Sequence, residues 1–144
     1  MGKFAQGKFQ LKNPEKYIGL GTPTYRSSWE WAVMNMCDTN PAIQRWASES
    51  IKIPYKNPLT GKQSIYVPDF FVNYVDRTGK QHAELWEVKP NKQTGLKEAG
   101  RSRHAQAHAI INMAKWEAAR AWCKHQRILF RVLSENDIFY NGKR

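Results

Sequence analysis

A small mixed sheet flanked by helices, an α/β domain with the element order α-α-β-β-β-α-β, is the fold that this 144-residue sequence predicts. Three features point to it. Apolar residues recur at helical spacing after Ser27, and the period shortens to two between Ile51 and Lys89. A long Ala-rich stretch without Gly or Pro follows, and then a second β-like run. The length suits one domain with a core of its own.

Residues 1–25 have Gly and Pro at irregular intervals and no apolar period, so they read as a basic N-terminal arm, with 26–144 as a single domain. Phe4, Phe9, Tyr17 and Tyr25 are the arm's candidate anchors to the body or to a partner. Ser27-Ser28-Trp29-Glu30 fits a capping box, and Trp29, Ala32, Val33, Met36 and Cys37 follow at helical spacing. This helix is expected to end near Asn40. Pro41 then suits the first turn of a second short helix through about Glu49, with Asn40 as its cap. Residues 51–55 read as a strand, 57–61 as a turn, 64–76 as the next strand and 77–80 as the turn back. A third strand runs over 82–89 and is stopped by Pro90. Residues 91–100 read as a polar loop, 101–125 as one long helix, and 127–133 as the last strand.

Composition narrows the function. Lys plus Arg number 23 against 12 Asp plus Glu, a net charge of +11 on a chain that is 41% hydrophobic. That charge therefore sits on a folded body, and a basic folded domain gains free energy by displacing counterions from phosphates. Solubility alone is the plainer reading; nucleic acid is the sharper one and the expected partner class. No apolar run is long enough to span a membrane, and residues 1–10 show no hydrophobic export signal, so neither membrane insertion nor secretion is expected. Cys37 and Cys123 are too few for a disulfide framework or a zinc site, which makes a reduced compartment the default. No glycine-rich phosphate cradle supports a nucleotide cofactor. The tryptophans most simply build the core.

Charges inside hydrophobic strands carry the most information. Alternation along 64–75 puts Asp69 in a row with Ile65, Val67, Phe71 and Val75, and alternation along 82–89 puts Glu87 and Lys89 with Ala83 and Leu85, Glu84 facing the other way. A hairpin would gather Asp69, Glu87 and Lys89 at one end of the sheet. Two carboxylates in apolar surroundings repel unless a cation lies between them, and a hard divalent ion such as Mg2+ or Mn2+ prefers such oxygen ligands. It would bind a phosphate oxygen and activate water, while Lys89 orients the water or stabilises developing negative charge. A structural ion pair at the core's edge is the alternative.

Pro68-Asp69, followed after one hairpin by Glu87-Val88-Lys89 and then a long helix, resembles the PD-(D/E)XK nuclease signature, whose core maps onto residues 27–133. The resemblance implies a restriction-endonuclease-like core and Mg2+-dependent DNA cleavage, with Asp69 and Glu87 as metal ligands and Lys89 as the catalytic lysine. Some members use an acid on the first core helix; Glu30 occupies that place, as metal ligand or merely as part of the cap. Gln106 falls where members often set a polar residue beside the site. Tyr25-Arg26-Ser27-Ser28-Trp29-Glu30, Val67-Pro68-Asp69-Phe70 and Trp86-Glu87-Val88-Lys89-Pro90 look like the head completion nucleases of large contractile-tailed phages. That likeness implies a late assembly protein acting on packaged DNA before the tail joins, in the virion or an assembly intermediate, with portal or neck proteins as partners. A structural neck protein on the same fold, or a transposon-end-cutting or junction-resolving endonuclease, are the rival readings.

Arg26, Lys92, Lys97, Arg101, Arg103 and His104, with Gln106, form the expected DNA-holding set. A merely solvated loop is the alternative for the lysines. His104 and His108 stand i, i+4 on the long helix, but without an evident third ligand zinc is disfavoured.

Overall fold

A computed structural model describes residues 6–89, 100, 102–134 and 137. Two short strands, β1 (Gly7–Lys8) and β2 (Thr24–Tyr25), pair antiparallel ahead of helix α1 (Ser28–Thr39). Then come β3 (Ile43–Ser48), the hairpin β4 (Ile53–Lys56) and β5 (Gln63–Tyr66), β6 (Phe70–Val75), β7 (Gln81–Val88), helix α2 (Arg103–Gln126) and β8 (Leu129–Leu133). The main sheet has the order β3-β6-β7-β8. Its first three strands are an antiparallel meander, whereas β8 runs parallel to β7 and so needs the crossover that α2 provides.

The caps follow the sequence closely. Ser27 is extended, and its hydroxyl accepts from the Glu30 N–H at 3.1 Å. The Glu30 carboxylate reaches back to the N–H of Arg26 at 2.9 Å, one residue before the cap, which makes this an offset capping box. Ser102 caps α2 by accepting from Ala105 N–H, and Arg127 ends it in the left-handed conformation.

Two expectations fail, for identifiable reasons. The second helix over 41–49 is absent, and β3 stands there instead. The Asn40 side chain accepts from Ala42 N–H at 2.9 Å and its carbonyl accepts from Ile43 N–H at 3.0 Å, so Asn40-Pro41 makes a turn. A register shift between Ile43 and Arg45 then inserts an extra residue into β3. This bulge puts Ile43 and Trp46 in the same hydrophobic cluster, a spacing of three that mimics helical periodicity. The strand expected over 64–76 is also two strands. Pro68 cannot donate to a ladder, and the chain leaves β5 to pair with new neighbours as β6.

The sheet separates two cores. On the α1 side Val33, Met34, Cys37, Ile43, Trp46, Phe70, Val72 and Trp86 pack with Phe9, which places part of residues 6–25 in the interior. Trp46 is fully buried and makes edge contacts with Phe9 and Tyr17. Buried Asp38 holds the same stretch by accepting from the N–H groups of Lys12 and Asn13 at 2.8 and 3.2 Å. The helix face is rotated from expectation, with Met34 buried and Met36 exposed. On the other side, Ile53, Tyr55, Tyr66 and Leu85 pack against Trp116, Ala119 and Cys123 of α2. The two thiols are free and lie in separate cores. Among the described residues no helix is long and apolar enough to cross a membrane.

Candidate active site

The β6–β7 register pairs Phe70 with Trp86, so Asp69, one residue before β6, falls opposite Glu87, near the end of β7. A hydrogen bond from Val88 N–H to Asp69 Oδ2 at 2.8 Å fixes that placement. Beyond β7, Lys89 continues the parallel ladder by donating its N–H to the Leu133 carbonyl at 2.9 Å. Its ammonium then stands 3.9 Å from Glu87 Oε2. The sheet therefore brings Asp69, Glu87 and Lys89 to one end of its α2-facing surface.

The second Glu87 oxygen accepts a 2.7 Å hydrogen bond from the buried Tyr66 hydroxyl. Burial, the Glu87 charge and that bond all push the Tyr66 hydroxyl far above its ordinary range, so it stays protonated and donates to Glu87. Lys115 of α2 lies over Tyr66, 5.7 Å from the ring centroid, and its charge also favours ionised Glu87. Neither residue was expected from the sequence. Burial raises Glu87 above the usual carboxylate range, against the opposing pull of Tyr66, Lys89 and Lys115. Asp69 is raised well above it, by burial first and by the Glu87 charge second, with the Val88 N–H opposing.

Glu30 adds a third negative group that Asp69 feels, and its own carboxyl is raised mainly by burial. Its Oε1 is already occupied by Arg26 N–H, so the capping role is realised. Among the described residues no three His, Cys, Asp or Glu side chains converge tightly enough to enclose an ion. Two carboxylates are nevertheless what Mg2+ commonly takes from a protein, the remainder coming from water and substrate phosphate.

Arg26 is not free for a phosphate here, because its guanidinium forms a two-pronged ion pair with Glu49, one arm at 3.0 Å. Glu49 is a further unexpected neighbour. It has a left-handed backbone, φ 51°, and donates its N–H to the Asp69 carbonyl at 2.9 Å. No sequence signal marked it, since its position depends on residues 43–48 being a strand.

The other expected contacts distribute differently. Arg103 and His104 are exposed in the first turn of α2, and the His104 and His108 rings meet edge to face at 4.8 Å. Gln106 donates to the Gly100 carbonyl at 2.7 Å, closing the turn before the helix. No hydrogen bond or ion pair joins these three to Asp69, Glu87 or Lys89 among the described residues. Lys92, Lys97 and Arg101 lie outside the described residues.

A family model described as TnsA-like endonuclease N terminal matches residues 40–135, two-thirds of the sequence. The chain belongs to this endonuclease family. The head completion nuclease of Enterobacteria phage T4 is 33% identical over 142 aligned residues, covering 92% of this chain and 92% of that protein. The mixed sheet and its crossover helix agree with the restriction-endonuclease-like fold of the TnsA-like endonucleases. Asp69, Glu87 and Lys89 fall inside the stretch that the family model matches, whereas Arg26 and Glu30 precede it.

Proposed function

We propose that this endonuclease cleaves DNA phosphodiesters with a divalent metal, with little sequence specificity, during phage head completion. The observation that carries the reading is the facing pair Asp69 and Glu87, both raised in pKa, with the Lys89 ammonium 3.9 Å from Glu87. The donor set is all carboxylate oxygen, and the two charges in a half-dry setting are offset by one hard divalent cation, which fits Mg2+ or Mn2+. When bound, that ion would polarise the phosphate and lower the pKa of an attacking water. The chain's own residues do the rest. Asp69 and Glu87 hold the ion, Tyr66 keeps one Glu87 oxygen turned and charged, and Lys89 offers N–H donors to the negative charge that grows on the phosphate. The net charge of +11 attracts the polyanion without reading its sequence. The likeness to a head completion nuclease supports a setting in phage assembly, with packaged DNA or its end as substrate and portal or neck proteins as neighbours.

The test is a gel assay of purified protein on linear and circular DNA, with Mg2+ or with EDTA, beside Glu87→Ala and Lys89→Ala. Metal-dependent cleavage lost in both variants, with DNA binding kept, is the expected result. Binding without cleavage under Mg2+ and Mn2+ alike would replace this reading with a structural neck protein.

Tyr66→Phe tests the support of Glu87. The Tyr66 hydroxyl favours the ionised form, so its removal raises the Glu87 pKa further. The acid limb of the cleavage profile should move to higher pH, cutting activity on that limb about tenfold, the worth of roughly 1.5 kcal/mol for a hydrogen bond to a charged group. Activity on the alkaline side of the profile should be close to native. An unchanged pH profile would remove Tyr66 from the site.

A further inference from the structure

The α2-facing surface of the sheet does not end at the carboxylates. Along β6, Asp69 is followed on that face by Phe71 and Asn73, and along β7 Glu87 is preceded by Leu85, Ala83 and Gln81. Helix α2 and the β4–β5 hairpin cover the Leu85 end. Toward Asn73 the surface opens into a trough of about 650 Å³ lined by Ile18, Gln44, Arg45, Phe71, Asn73 and Gln81. Asn73 lies about 13 Å from Asp69 along the strand, at the usual rise per residue.

The lining chemistry is specific. Arg45 is exposed on β3 beside Asn73, with no ion pair among the described residues, in contrast to Arg26. Among the described residues no acid lines the trough; Gln44, Asn73 and Gln81 contribute amide side chains, and Phe71 an aromatic ring. The turn at the far end of β6 and β7 adds exposed Arg77 and Lys80, while its acid, Asp76, is engaged by Thr78 and His82. A planar guanidinium among amides, with an aromatic ring beside it and no carboxylate, matches a sugar–phosphate backbone.

We infer that this trough is a DNA subsite, in which Arg45 grips a backbone phosphate of the strand leading away from the cleavage position while Asn73 and Gln81 contact the same nucleotides. The inference rests on the nuclease reading for the strand's direction, and its test does not depend on cleavage. Binding of a fluorescent 12-nucleotide DNA strand is measured by anisotropy in EDTA, over a salt series, for the full chain, Arg45→Gln and Lys124→Gln. Lys124 is exposed near the C-terminal end of α2 and controls for the loss of one positive charge. Arg45→Gln should weaken binding about five- to tenfold and reduce the salt slope by about 0.7, the single-strand value for one phosphate, with Lys124→Gln close to native. In Mg2+, Arg45→Gln should raise KM for long DNA at unchanged kcat. Native affinity and slope in Arg45→Gln, or an equal loss in Lys124→Gln, would overturn the subsite whether or not the protein cleaves. Arg45-dependent binding by a protein that cleaves nothing would uphold the subsite and overturn the catalytic reading alone.

Discussion

Asp69→Asn should lower DNA cleavage by about three orders of magnitude and, in metal-free buffer at pH 7, raise the melting temperature. Both effects come from one carboxylate. Removing a group that holds or stabilises charge in the transition state costs about 100- to 1000-fold, and a lost metal ligand falls at the upper end. The stability gain follows from linkage. The Asp69 carboxyl is raised above its unfolded value by burial and by Glu87, so the folded protein binds that proton more tightly than the unfolded chain. The resulting stability is present at low pH and lost as pH rises through the folded pKa. At neutral pH the buried Asp69 carboxyl is therefore a net cost, which Asn removes while still able to accept from Val88 N–H. A gain on the order of 1 kcal/mol moves the melting temperature of a domain this size by roughly 2–5 °C. Added Mg2+ should stabilise the native protein and leave Asp69→Asn nearly unmoved. A variant that melts below the native protein in metal-free buffer would show that Asp69 is a structural acid and not a stored functional charge.

Much of this site is legible in the sequence because it rests on local patterns that tertiary contacts do not override. Alternation along 82–89 separates Glu87 from Glu84, and the tight turn at Gly79, φ 88°, leaves one register in which Asp69 meets Glu87. The long helix shows itself by composition and ends near its predicted limits at Arg103–Gln126. The failures have a common cause: an irregularity shifts the side-chain period without changing the residue types. The bulge in β3 gives a strand helical spacing, and with that strand misread, Glu49 could not be placed beside Asp69. Strict alternation over 64–76 would send Tyr66 and Asp69 to opposite faces. The break at Pro68 instead brings the Tyr66 hydroxyl to Glu87. Lys115 is invisible for a different reason. It lies well along α2 in sequence, and only the packing of that helix on the β4–β5 hairpin carries its charge to the site.

The two glutamates of β7 make the remaining contrast, and Arg131→Met tests it. Glu84 is the less exposed to solvent, yet all of its charge is answered. Arg131 donates from Nε and a terminal nitrogen at 3.0 and 3.1 Å, and Tyr74 and Trp86 each donate at 2.7 Å. Burial alone would raise this carboxyl, but those bonds outweigh it and hold it below the ordinary range. A depressed carboxylate contributes stability above its unfolded pKa and loses it as pH falls through the folded one. Arg131→Met strands the buried charge. The cost should be about 2–3 kcal/mol, less than for a fully buried pair because the Arg131 side chain is 50% exposed and partly screened. The melting temperature should fall by roughly 5–10 °C at pH 7, and acid unfolding should begin at a higher pH as the Glu84 pKa rises. Glu84→Leu in the same background should recover part of the loss, since a neutral apolar pair carries no desolvation penalty. Cleavage per folded molecule should stay native in both variants, because the Glu84 network lies on the α1-facing side of the sheet, away from Asp69 and Glu87. Loss of cleavage at full stability would mean that the two faces are coupled through β7. The buried acid of this strand with a complete set of partners serves the fold. Glu87 keeps an elevated pKa despite Tyr66, Lys89 and Lys115, and that residual imbalance is what the proposed metal would answer.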